Sequence, residues 1–373
     1  MRQPKVLLIT ASFGNGHNQV SRVLKHAFEE FGIGNVEVCD LYAEAYPHWN
    51  EIAKFLYKQA FTIGPSLYKK FFYFMDKRYG TTATKWYMRL GEKKLEHILE
   101  EKKPDIIITT FPVGTVPELR KTKSYKFQLY TVVTDYCLHR TWVHEEIDRY
   151  YVATEAVKQK LCMNGVPAEN IRVSGIPIRK EFEYARSRSR IMEKYKISPD
   201  YKKVLIVAGA QGVVKHIGWI AERLLEDPAV QLLIVCGRNE KLYQQLAVLQ
   251  PFYGSRLQVF AYVEKIHELY EAADIMITKP GGITLSEAVA KKLPTVLYKP
   301  VPGQEQENSV FFNQAGAAVV LRNKEEVVRE TLSLLHHTNR LQNMKYALED
   351  LHKAGSSVLI TSDILQFFRH AHV

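Results

Sequence analysis

A chain of 373 residues, 46% hydrophobic and 24% charged, holds enough apolar material for two ordinary globular cores, which excludes a disordered chain and a single small domain. The formal net charge of +11 points to an anionic partner, whether nucleic acid, a phosphorylated ligand or an acidic membrane surface. Cys39, Cys137, Cys162 and Cys236 stand singly, with no Cys-x-x-Cys pair for zinc or redox work, and read as buried, reduced thiols of a cytosolic protein. The first apolar run, Val6 to Ile9, is too short for a secretion signal, and no run approaches the ~18 residues of a membrane span. Any membrane contact is expected to be peripheral.

In chain order, short β-branched runs alternate with helix-length segments. Val6 to Thr10, Val36 to Leu41, Ile106 to Phe111, Leu129 to Thr134 and Tyr150 to Ala153 read as strands of a first α/β sheet. Beyond Gly175-Ile-Pro-Ile the pattern restarts with Val204 to Ala208, Leu232 to Cys236, Leu257 to Tyr262, Ile275 to Thr278, Thr295 to Tyr298 and Ala317 to Leu321. Continuous rather than alternating apolar strands imply parallel sheets covered on both faces, with ligands at the carboxyl ends of the strands. The expected organisation is therefore two α/β domains, 1–178 and 179–353, facing a cleft, and a final helical segment, 354–373, returning to the first domain.

One region departs from this pattern. Between Lys54 and Lys94 stand ten basic residues against Asp76 and Glu92, interleaved with eleven aromatics that include the run Phe71 to Phe74. Basic residues beside aromatics, here Lys69, Lys70, Phe71, Phe72 and Phe74, suit the headgroup boundary of an anionic bilayer. A basic helical insert (about 45–94) packing its rings on the core, or a single-stranded nucleic-acid surface, fits the same composition.

The loop Ser12-Phe-Gly14-Asn-Gly16-His17 follows a strand and opens a helix, so its amides face an anion or a reacting centre. A dinucleotide fingerprint would want glycine where Gln19 stands, although Asp40 at the end of the next strand would suit a ribose. His17 is placed to act as a general base, or else to cap the helix. Asp135, in Val132-Val-Thr-Asp135, is positioned to orient His17 or to be the base itself. His139, Trp142 and His144 follow closely, as an acceptor path or as a packing cluster.

The second half carries Thr278-Lys-Pro-Gly281-Gly282-Ile-Thr284-Leu-Ser-Glu287-Ala. Two glycines permit close backbone approach, and the helix that follows offers its positive end to a diphosphate without a metal. Glu287 is spaced to accept hydrogen bonds from a ribose diol, with a glycine turn and a capping glutamate as the plain alternative. Pro302-Gly-Gln304-Glu305-Gln-Glu-Asn308 offers amide and carboxylate acceptors for sugar hydroxyls, unless it is simply a solvated loop. The turn Ala208-Gly-Ala-Gln211-Gly212 also ends a strand, where it can close over the same phosphates.

At these residues the chain resembles the glycosyltransferase family that contains the plant galactolipid synthases, the bacterial diacylglycerol glucosyltransferases and, more distantly, the lipid II N-acetylglucosaminyltransferase. Gly-Asn-Gly-His at 14–17, Thr134-Asp135 with His139 and Trp142, Gly-Ile-Pro-Ile at 175–178, and the two motifs of the second half look most like the processive diacylglycerol β-glucosyltransferases of Gram-positive bacteria. The resemblance implies a GT-B fold of two Rossmann-like domains. It also implies inversion at the sugar, with no divalent metal and no cofactor beyond UDP-glucose as donor substrate. The implied partners are diacylglycerol, glucosyldiacylglycerol and an anionic membrane, without nucleic acid, at the cytoplasmic side of the cell membrane.

Carried over by position, Gly16, Gln211, Gly212, Gly281, Gly282 and Thr284 would meet the donor, Glu287 its ribose and Gln304 with Glu305 its hexose, while Val263 would pair its backbone with uracil. The lipid II enzyme has glutamine where Glu305 stands, which disfavours N-acetylglucosamine. UDP-galactose as donor, and a UDP-sugar sensor without turnover, remain the competing readings.

Overall fold

The computed structural model describes residues 2–12, 15–46, 65–79, 81–208 and 216–371. The chain forms two compact units, one of Met1–Ile178 with Pro302–Gln304 and Lys353–Val373, the other of Arg179–Val301 with Glu305–His352.

The first unit is built on a six-stranded parallel sheet in the order β2-β1-β3-β4-β5-β6, from Val36–Asp40 (β2), Val6–Thr10 (β1), Ile106–Thr109 (β3), Gln128–Val132 (β4), Arg149–Val152 (β5) and Ile171–Val173 (β6). Every residue of β1 and β3 is buried, as strands covered by helices on both faces require. The edge strand β2 exposes Glu37 and Val38. The sixth strand escapes the sequence pattern because it is three residues long and turns Arg172 outward. Chain order reverses between β1 and β3, so the loops after these two strands open at the switch point of the sheet.

The helix Ser356–His370 packs on the helix Asn15–Glu30. Its buried Asp363 receives the Tyr151 hydroxyl at 2.8 Å and Arg149 at 3.1 Å, and pairs with Arg172. Arg149 also lies over Phe367, 4.6 Å from the ring centre. A carboxylate so buried is tolerable only with such counter-charges, which fastens the end of the chain to β5 and β6.

The second unit repeats the plan in the order β12-β11-β10-β7-β8-β9, from Lys202–Val207 (β7), Val230–Val235 (β8), Leu257–Phe260 (β9), Ile275–Thr278 (β10), Thr295–Tyr298 (β11) and Ala318–Leu321 (β12), again all parallel. Its switch point lies between β7 and β10, where the helix Gly282–Ala290 begins. Cys39, Cys137 and Cys236 are buried, but Cys162 is exposed, against the sequence expectation. It sits near the end of the helix Glu155–Met163, whose inward face is Val157 and Leu161. Among the described residues no helix is long and apolar enough to cross a membrane.

Candidate active site

In the first unit, three strand ends converge on His17. The side chain springs from the first turn of the helix after β1, and its Nδ1 lies 2.8 Å from the Thr110 carbonyl and 2.8 Å from the Thr134 hydroxyl. Thr110 follows β3 and Thr134 follows β4. A carbonyl can only accept, so the proton resides on Nδ1 and Nε2 carries the lone pair. Ser21 and Thr110 share a hydrogen bond of 2.8 Å, and Thr110 donates to the His17 carbonyl at 3.3 Å, so the same threonine also anchors the helix start. Phe111 meets the imidazole edge-on at 5.0 Å.

Burial lowers the His17 pKa, opposed in part by the Asp135 carboxylate and the Thr110 carbonyl. The ring is consequently neutral at pH 7, as a general base must be. Asp135 is itself buried and receives the Gln304 amide at 3.1 Å. Gln304 belongs to the short segment Pro302–Gln304 that clusters with this unit. Gly303 makes that approach possible: its φ is +99°, and an added Cβ would lie 3.0 Å from Tyr68 and 3.3 Å from Phe72.

The basic insert is described from Pro65 onward. The helix Pro65–Arg78 buries Met75, and Tyr79 just beyond it. Its outer side displays Lys69, Lys70, Phe71, Phe74, Lys77 and Arg78. Phe71 and Phe74 are 50% and 47% exposed, whereas Phe72 turns inward onto His139, 4.4 Å between ring centres. His139 donates from Nε2 to the Phe72 carbonyl at 2.9 Å and accepts the Thr141 hydroxyl at 2.7 Å. Arg140 donates its amide to Asp76 at 2.8 Å. His139 thus joins this helix to the Arg140–Trp142 turn, and burial depresses its pKa against the Phe72 carbonyl and Asp76. Trp142 belongs to the core and lines a small cavity with Tyr79, Gly114, Thr131 and His144.

In the second unit, the helix Gly282–Ala290 starts without a side-chain cap and without an acidic residue in its first turn. Its leading amides are therefore available to an anion. Gly281 has φ −72° and ψ 136°, and among the described residues an added Cβ would meet nothing closer than Thr284 Oγ1 at 3.9 Å. Neither backbone strain nor packing against the described residues calls for glycine there. Gly282 is buried and Thr284 half-buried. Asn308, fully buried, donates to the Pro280 carbonyl at 3.1 Å and fixes the loop from beneath. Glu305 accepts the Val301 amide at 2.9 Å and lies 3.9 Å from Lys279. Glu287 is buried against Arg179, 3.6 Å away, and hydrogen-bonds the Tyr270 phenol. Val263 is half-buried in the loop after β9. Gly14, Gln211 and Gly212 lie outside the described residues.

Asp40, weighed above as a ribose partner, instead caps the helix Leu41–Ala45 by accepting the Ala43 amide at 3.0 Å. The sequence reading missed Ser21, Thr110 and Thr134 around His17, and Lys279 and Asn308 around the glycine loop. Thr134, Lys279 and Asn308 had a signal, since each stands inside a motif already singled out, whereas Ser21 and Thr110 had none.

Residues 17–178 match the family model of monogalactosyldiacylglycerol (MGDG) synthase, and 203–358 match the glycosyltransferase family 28 C-terminal domain. A processive diacylglycerol beta-glucosyltransferase of Bacillus cytotoxicus is 45% identical over 98% of this chain and 94% of that protein. The chain belongs to that glucosyltransferase family. A Bacillus licheniformis protein of the same name is 44% identical over 97% of this chain and 94% of its own length. Among solved structures, MurG of Acinetobacter baumannii superposes with a TM-score of 0.61 at 15% identity, covering 97% of this chain and 100% of that one. The UDP complex of MnaA from S. aureus gives 0.61 at 17%, covering 98% and 97%. At such identities these two establish the GT-B architecture expected of the glucosyltransferase family.

Proposed function

We propose that this chain transfers glucose from UDP-glucose to the primary hydroxyl of 1,2-diacylglycerol and then to the glucosyl product, inverting the anomeric centre without a metal. The observation that carries this reading is 45% identity over 98% of the chain to a protein bearing that name, combined with a neutral, tautomer-fixed His17. His17 Nε2 takes the hydroxyl proton as the acceptor oxygen bonds to C1 and the bond from C1 to the UDP oxygen breaks. A single in-line displacement turns an α-linked donor into a β-linked product. The departing diphosphate is met by the first-turn amides at Gly281 to Thr284, the charge compensation a metal would otherwise supply. Glu287 takes the ribose, Gln304 and Glu305 the hexose, and the Val263 backbone the uracil. A neighbouring fold, HepE of Anabaena, is known in complexes with UDP and with UDP-glucose, which supports a UDP-sugar donor.

Purified protein incubated with radiolabelled UDP-glucose and diacylglycerol in anionic liposomes gives a ladder of labelled lipids on thin-layer chromatography, unchanged by chelator. Label from UDP-galactose alone would move the chain to the galactolipid branch. Chelator-abolished transfer would overturn the metal-free reading, and UDP binding without any lipid product would mean a sensor.

The outer face of Pro65–Arg78 is the proposed membrane contact, at the cytoplasmic leaflet and peripheral. Its two exposed rings insert among headgroups while the lysines meet phosphates. Lys70→Glu and Lys77→Glu with Phe71→Ser and Phe74→Ser weaken sedimentation with anionic liposomes by at least about a hundredfold, because two apolar anchors and two attractive charges are lost together. Undiminished sedimentation would refute the membrane assignment.

A further inference from the structure

We infer that Arg179 is a positioning residue for the donor nucleoside, holding the Glu287 carboxylate and the backbone at Glu264 in one fixed arrangement that uridine then reads. This rests on the donor reading above, in which Glu287 takes the ribose and the Val263 segment the base. The guanidinium spans both: Nη1 donates to the Glu264 carbonyl at 3.0 Å, and Nη2 lies 3.6 Å from Glu287 Oε1. Beneath it, Phe182 carries the cation 5.1 Å above its ring and meets Tyr270 edge-on at 5.3 Å. Tyr270 in turn hydrogen-bonds Glu287. One aromatic ring therefore supports both groups that address the same carboxylate.

Glu287 is 6% exposed, and a carboxylate that deep needs a counter-charge to offset its desolvation. The planar fork of arginine can address a carbonyl and a carboxylate at once, which the single ammonium of lysine cannot do from one position. Arg179 Nε is buried with no partner among the described residues, so the side chain is committed through its two terminal nitrogens. Arg179 follows the Gly-Ile-Pro-Ile motif directly, a part of the sequence pattern to which no donor contact had been assigned.

The test is calorimetric binding of UDP and 2′-deoxy-UDP to the full-length wild type and to Glu287→Gln, Arg179→Ala, Arg179→Lys and the Arg179→Ala/Glu287→Gln double variant, with melting curves for each. Glu287→Gln should weaken UDP about tenfold and erase the preference for UDP over its 2′-deoxy analogue. Arg179→Ala should do the same, Arg179→Lys should recover only part, and the double variant should be no worse than Glu287→Gln alone. In turnover, KM for UDP-glucose should rise with kcat nearly unchanged. Losses that multiply in the double variant, or an Arg179→Ala protein that keeps the 2′-hydroxyl preference, would overturn the inference. If Glu287→Gln itself kept that preference, the ribose assignment would fall first and take the inference with it. Should Arg179→Ala melt below the assay temperature, Arg179→Lys carries the same comparison.

Discussion

Replacing His17 with alanine lowers kcat for glucosyl transfer by about 10³-fold, within the range that removal of a positioned general base produces, and leaves UDP affinity unchanged. The prediction follows from the Nδ1 contacts with the Thr110 carbonyl and Thr134 hydroxyl, which leave Nε2 as the basic nitrogen. Its pH dependence is equally specific. The protonated ring is the inactive form, and burial depresses its pKa more than Asp135 and Thr110 raise it. The acid limb of kcat/KM therefore lies below the ordinary imidazole value of about 6.5, and the rate is flat above it. Asp135→Asn removes a charge that favours imidazolium, so the limb moves to still lower pH. A limb that instead moved upward, or an alanine variant that kept its turnover while Asp135→Asn lost it, would make Asp135 the base.

The surroundings of His17 show where apolar patterning stops being informative. Apolar continuity located β1, β3 and β4, but it also carried the expected strands through to Phe111 and Thr134, whereas the sheet stops at Thr109 and Val132. Of the four overrun residues, Thr110, Phe111 and Thr134 turn to meet His17, while Val133 still donates its amide to Tyr151. Hydrophobicity cannot distinguish a residue buried in a strand from one buried in a loop folded over a side chain.

The glycine motifs were legible because their chemistry is local, a strand end followed by a helix start. Pairings that span the chain were not. Arg179 meets Glu287 across more than a hundred positions, and Asp363 on the last helix gathers Arg149, Tyr151 and Arg172 from two strands. The insert shows the same limit on a smaller scale: composition identified its basic aromatic character, but only the helical register separates the exposed Phe71 and Phe74 from Phe72, which packs on His139.

Register and open space together decide the second large effect, Gly281→Val. The backbone at Gly281 lies in the extended region that valine favours, and among the described residues the new Cβ meets no atom closer than 3.9 Å. Folding should therefore cost no more than about 1 kcal/mol, the difference between glycine and an apolar residue at a helix N-cap. Donor binding is another matter. A branched side chain occupies the room in which a phosphate would reach the first-turn amides, and two charge-assisted hydrogen bonds lost at about 1.5–3 kcal/mol each weaken UDP by at least about a hundredfold. Calorimetry on a protein whose melting curve matches wild type reads this directly. Retained UDP affinity would place the diphosphate elsewhere and remove the charge compensation on which the proposed metal-free transfer depends. Combined with an intact His17, loss of UDP affinity in this variant would separate the two halves of the reaction: a base competent to activate the acceptor, and no donor for the activated oxygen to attack.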